Sequence, residues 1–91
     1  NLVTTLGKTV DVEKFGSLTA IDINPEGDYV VMGHEHGRVV VYDIVKRTPV
    51  KSVEDNVDLP IVAVKWCKRG RLQFFAANSE GFVVLWNLNK W

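Results

Sequence analysis

The sequence predicts an all-β chain built from short antiparallel strands. Three observations carry that reading. Runs rich in β-branched and aromatic residues recur along the chain ("LTAIDI", "YVVM", "RVVVYDI", "PVKSV", "PIVAVKW", "LQFFAA", "FVVLWNL"). Clusters of turn residues separate them ("NPEGD", "GHEHG", "VKRT", "EDNVDLP", "CKRGR", "NSEG") and no helical period lies between. The third observation is an internal repeat.

A shift of ~43 residues lays Ala20, Ile21, Ile23 and Gly27 on Ala63, Val64, Trp66 and Gly70. Beyond the next turn one extra residue enters. Gly33 then falls on Ala77, Gly37 on Gly81, and Val39 and Val40 on Val83 and Val84. Tyr42, Asp43 and Ile44 fall on Trp86, Asn87 and Leu88. Four short strands per ~40–45 residues is the plan of a propeller blade, so the predicted fold is a β-propeller segment of four-stranded antiparallel blades.

The elements follow in order. Strands are expected at 18–23, 28–33, 38–43 and 49–53 in the first unit, and at 61–66, 72–77 and 82–87 in the second. Gly37 and Gly81 stand where a tight hairpin demands positive φ. Gly33 and Ala77 are small where a neighbouring element must approach closely. Trp66, Phe74, Phe75, Phe82, Trp86 and Tyr42 are expected in the core, and Trp91 at the surface.

"LTAIDINPEGDYVVMGHEHGRVVVYDI" resembles a WD-repeat unit in its Asn-Pro-Glu-Gly turn, its Gly-x-x-x-Gly turn and its closing aromatic-Asp pair. "IVAVKWCKRGRLQFFAANSEGFVVLWNL" is similar, with Trp86-Asn87 in the closing position. The pattern is degenerate. Glu13-Lys14 and Asn56-Val57 stand where the family has Gly-His, and His36 and Glu80 replace the Asp of the turn between the second and third strands. The resemblance divides the chain into residues 1–17 (outer strand of a preceding blade, over 1–12, and a connection), a complete blade over 18–53, and three strands of the next over 54–91. The pattern breaks off at Asn1 and at Trp91, so a segment of a longer protein is expected.

Composition narrows the function. Eleven basic and eleven acidic residues balance, which gives no electrostatic case for nucleic acid as the partner. One cysteine and no Asn-x-Ser/Thr acceptor point to a reducing, intracellular and cytoplasmic setting. The apolar runs are too short to span a bilayer as helices.

Two histidines flank a glutamate in "GHEHG", and His34, Glu35 and His36 could serve a small metal-dependent barrel enzyme. A cupin-type barrel wants a Gly six residues before the first His, a later Glu and a third His. Gly27 is one residue too far away, Val40 and Val41 occupy the Glu positions, and the chain has only two histidines. A turn between strands accommodates the segment better, with its three polar residues exposed or partly exposed. Cys67 as a nucleophile would need one of these histidines as base, but the blade plan puts them at opposite strand ends. No metal, cofactor or catalytic group is expected.

The blade plan also sorts the turns onto two rims. Lys46, Arg47, Lys68, Arg69 and Arg71 gather on one, together with Glu26 and Asp28. Glu35, Glu54, Asp55, Asp58 and Glu80 fall on the other. With His34 and His36, these rim residues are the candidate contacts for partners. Asp22 and Lys65, at equivalent positions of the first strands, are expected to face the wetter central channel. The WD-repeat resemblance implies a non-enzymatic platform for protein–protein interaction in a multi-subunit intracellular assembly. Its degenerate form is similar to vesicle tethers and coats. The partners so implied are further blades and other subunits, and the basic rim adds a peripheral contact with anionic lipid.

Overall fold

The computed structural model describes residues 16–54, 58–68 and 72–90, apart from the side chains of Glu54 and Lys90. The outer strand expected within residues 1–12 and the position of Trp91 lie outside the described residues. Seven strands form two antiparallel sheets. The first contains β1 (Leu18–Ile23), β2 (Tyr29–His34), β3 (Arg38–Asp43) and β4 (Thr48–Glu54), in that spatial order. The second contains β5 (Ile61–Trp66), β6 (Gln73–Asn78) and β7 (Val83–Asn87), followed by a single 3-10 turn, Leu88–Lys90. The fold is all-β, as expected, and observed strand ends lie within one residue of those read from the sequence.

The repeat extends to the hydrogen bonds of the turns. Asn24 N–H donates to Tyr29 O, and Cys67 N–H to Gln73 O, at the equivalent place. Ile44 N–H donates to Asp28 O as Leu88 N–H does to Leu72 O. Glu35 N–H donates to Ser17 O as Ser79 N–H does to Pro60 O. Gly37 and Gly81 close their hairpins with φ of 85° and 89°, a conformation that side-chain-bearing residues rarely adopt. Even an irregularity is duplicated. Leu18 and Ala20 oppose the consecutive residues His34 and Gly33, and Ile61 and Ala63 oppose Asn78 and Ala77, so Thr19 and Val62 are each the extra residue of a bulge.

Alternation along the strands decides which side chains meet. One face of the first sheet carries the cross-strand row Asp22, Val31, Val41, Lys51 and the row Ala20, Gly33, Val39, Val53. Val31, Val39 and Val41 pack there against Ile61, Val64, Trp66, Phe74 and Ala76 of the second sheet. Each such side chain, once buried, contributes about 1.5–3 kcal/mol relative to an exposed one, so this seam holds the sheets together. The other face of the first sheet buries Val30, Met32, Val40 and Tyr42, with Leu18 and Ile44 packed against them. Of the aromatics expected in the core, Tyr42, Trp66 and Phe74 are buried and Trp86 packs at the seam's margin. Phe75 and Phe82 are exposed instead, because Phe75 points away from the seam and Phe82 lies in a turn.

Candidate functional site

Two sites emerge from this frame, the rim turns and the polar heart of the seam. The β2–β3 turn ties together segments that are distant in sequence. His34 is 0% exposed, a correction to its expected place on the surface. Its position pairs with Leu18 across the bulge, and its Nδ1–H donates to the Gly16 carbonyl at 3.0 Å. Burial holds its pKa below the ordinary 6.5; the bond to Gly16 works in the opposite direction, and the charge of Arg38 adds to the lowering. Glu35 holds Ser17 through the backbone bond given above. Gly16, at φ of 87°, lies so close that a Cβ there would meet Glu35 and come within 2.8 Å of His36 Cδ2. His36 points outward, and its Nδ1 lies 2.8 Å from Asp58 Oδ1 in the connection leading to β5. Glu35 Oε1 stands 3.5 Å from its other nitrogen. All three side chains are wet, so these pairs orient the rim and add little stability.

The two imidazoles therefore have no common focus: one is spent on a backbone carbonyl inside, the other on a carboxylate outside. Among the described residues no group of three or more His, Cys, Asp or Glu side chains converges as metal ligands would. Cys67 is a partly buried free thiol in the β5–β6 turn, at the far strand end from both histidines.

His34 yields a pH prediction. Its lowered folded pKa means that the native state prefers the neutral ring. Stability is complete above the unfolded value of 6.5 and declines as pH falls through 6.5 towards the lowered folded value. The second sheet carries Asn78 at the equivalent position, where its Oδ1 accepts from Glu80 N–H and Phe82 N–H. His34→Asn is accordingly expected to flatten the pH dependence below 6.5. The histidine's own contribution is no steeper than about 1.4 kcal/mol per pH unit, the limit for one proton. Urea unfolding of both proteins across pH 5–8 checks this, and parallel profiles would exclude a role for the ring's proton.

On the opposite rim Lys46 and Arg47 are exposed in the β3–β4 turn, which is built by Lys46 N–H donating to Asp43 Oδ1 and by Arg47 at φ of 57°. Lys68 is exposed in the β5–β6 turn. Glu26 and Asp28 share this rim, tied through the Asn24 side-chain amide. On the histidine rim Asp58 and Glu80 are exposed. Arg69, Arg71 and Asp55, and the side chain of Glu54, lie outside the described residues.

The seam holds a contact that sequence reasoning missed. Asp22, expected to face a channel, is partly buried, and its Oδ2 accepts the backbone N–H of Trp66 at 2.8 Å. Its own carbonyl accepts the indole Nε1–H at 3.0 Å. One residue of β1 thus grips both donors of one residue of β5. The Trp66 ring then meets Phe74 edge-on, with centroids 5.3 Å apart, and Tyr29 at 6.3 Å. Asp22→Ala would leave the Trp66 N–H without its acceptor in a half-buried seam, at an expected cost of about 1–3 kcal/mol. Asp22→Asn, which keeps an acceptor, should lose less, and thermal unfolding of the pair makes the comparison. The signal was in the repeat: Asp22 stands one residue before the position equivalent to Trp66.

Two like antiparallel sheets packed through one apolar seam are consistent with a propeller. Residues 1–91 match the family model described as the Vps8 beta-propeller. The chain belongs to the Vps8 beta-propeller family. Among curated proteins none matches it. In this Vps8-family segment the valines of the first sheet are buried against the second sheet, as strand faces in a propeller are used for packing. No described helix of the chain is long and apolar enough to cross a membrane.

Proposed function

We propose that this Vps8-family propeller segment is part of a non-enzymatic, WD-type platform for protein–protein interaction. Its setting is a multi-subunit intracellular assembly that tethers vesicles. In this reading residues 18–53 are one complete blade, residues 54–91 belong to the next, and residues 1–17 connect to a preceding one. The observation that supports it best is the division of labour just described. Both faces of the first sheet and one face of the second are given over to packing, while charged turns stand exposed on both rims. Partners would be other subunits of the assembly, gripped by Lys46, Arg47 and Lys68 on one rim and by Asp58 and Glu80 on the other.

Charge reversal tests the reading. In the full-length protein, Lys46→Glu, Arg47→Glu and Lys68→Glu together are expected to lower retention of companion subunits severalfold, with circular dichroism unchanged. Asp58→Lys with Glu80→Lys forms the second arm. If both sets retain every companion at wild-type stoichiometry, the platform reading fails for these rims. Flotation with anionic vesicles separates the lipid alternative: selective loss of flotation in the first set alone would mark a membrane contact.

A further inference from the structure

The start of β4 combines a sequence pattern with an exposure that together point to covalent modification. Thr48, Pro49, Val50 and Lys51 follow Lys46 and Arg47 directly. Of the eight serines and threonines in the chain, Thr48 alone is followed by proline. A hydroxyl, then a proline, then a cation three residues after the hydroxyl is the order of groups that a proline-directed protein kinase reads. The proline suits an apolar socket because it brings no N–H that the socket would leave unpaired. The cation suits an anionic subsite beside it.

The structure presents this pattern to solvent. Every residue from Val45 to Lys51 is exposed. Among the described strands β4 is the outermost of the first sheet, paired with β3 on one side. Its first half is loosely attached. Pro49 has no N–H to give to β3. Lys51 opposes Val41 and Pro49 opposes the next residue, Tyr42, so Val50 is the surplus residue of a bulge. The chain is already extended from Thr48, as a peptide in a kinase cleft must be, and lifting it breaks few ladder bonds. A phosphate would also land on charged ground. Thr48 pairs across the hairpin with Asp43, a buried residue whose Oδ1 accepts Lys46 N–H. Phosphothreonine brings about −1.5 to −2 charges at pH 7, enough to cancel Lys46 and Arg47 and to oppose the carboxylate that builds the turn.

We propose that Thr48 is a phosphorylation site for a proline-directed kinase, and that its phosphate shuts off the grip of the Lys46–Arg47 turn on acidic partners. In the step, Thr48 Oγ1 forms a bond to the γ-phosphorus of ATP and the bond from that phosphorus to the β–γ bridging oxygen breaks. ADP leaves with the electron pair, and the hydroxyl proton passes to the kinase's catalytic carboxylate. The site stands on the strand alone; its effect on partners rests on the reading of this rim as a docking surface.

The test incubates the native full-length protein with a purified cyclin-dependent kinase and γ-labelled ATP. Label is expected on the peptide that contains Thr48. Thr48→Val should lose it and Thr48→Ser should keep it, while Pro49→Ala and Lys51→Ala should each slow it about tenfold, all with unchanged circular dichroism. Absence of label on native Thr48, whether or not denatured protein takes it, would overturn the site. Equal rates for Pro49→Ala and wild type would overturn the proline-directed recognition. The phosphorylated protein is then expected to retain companion subunits severalfold less well, and Thr48→Val treated alike to retain them as before. Complete phosphorylation with unchanged retention would overturn the shut-off while the site stood. Charge reversal of the rim reads retention without any phosphate, so a failure of the docking reading is seen separately.

Discussion

Trp66→Ala is expected to cost about 3–5 kcal/mol, the largest loss of any single substitution in the seam. The indole is buried between the sheets, against Phe74 and Tyr29, and anchored through Nε1–H on the Asp22 carbonyl. Its removal takes away the largest apolar area at the junction and opens a cavity where both sheets contribute walls. Trp66→Phe separates the two contributions. It keeps most of the ring but not the Nε1–H donor, so the loss should fall towards the ~0.5–1.5 kcal/mol of a single hydrogen bond together with the volume change. Urea unfolding of the full-length protein, followed by loss of the propeller's circular dichroism, gives the comparison. A Trp66→Ala loss no greater than that of Val45→Ala, in an exposed turn, would mean that the seam does not exist in solution.

Gly33→Val is expected to cost about 1–3 kcal/mol or more, through overpacking and not through a cavity. The position needs no unusual backbone angle; the demand is purely for space, since Ile61 sits where the new side chain would grow. That distinction makes the prediction sharp. A steric conflict can be relieved from the other side, so Gly33→Val combined with Ile61→Ala should cost less than the two changes added together. Ile61→Ala alone should cost about 2–5 kcal/mol as a cavity. Strict additivity would place the two residues out of contact and break the proposed packing of β5 on β2.

The strands were legible because their signals are local. "YVVM" and "RVVVYD" are β-branched runs closed by turn residues, and the period of the repeat multiplied each weak signal. Gly33 and Gly37 were read correctly for different reasons, one for closeness and one for φ. His34 was placed in a turn and Asp22 on a strand lining a channel, and in neither case did the sequence show the partner: a backbone group far away, Gly16 O for the histidine and Trp66 N–H for the aspartate. Such pairings depend on how one sheet lies on the next, and no local window contains that information. Phe75 was placed in the core on hydrophobicity alone; strand parity sends it to the face away from the seam, while Phe74 points inwards.

The twin bulges at Thr19 and Val62 have a bearing on how this array could grow or be rebuilt. An extra residue at the start of the innermost strand adds local right-handed twist, and here each unit carries it at the same step. The surplus residue is therefore a property of the leaf itself and recurs with it. An engineer transplanting such a leaf would have to carry that one surplus residue along, since its deletion would turn the early side chains of the strand inside out.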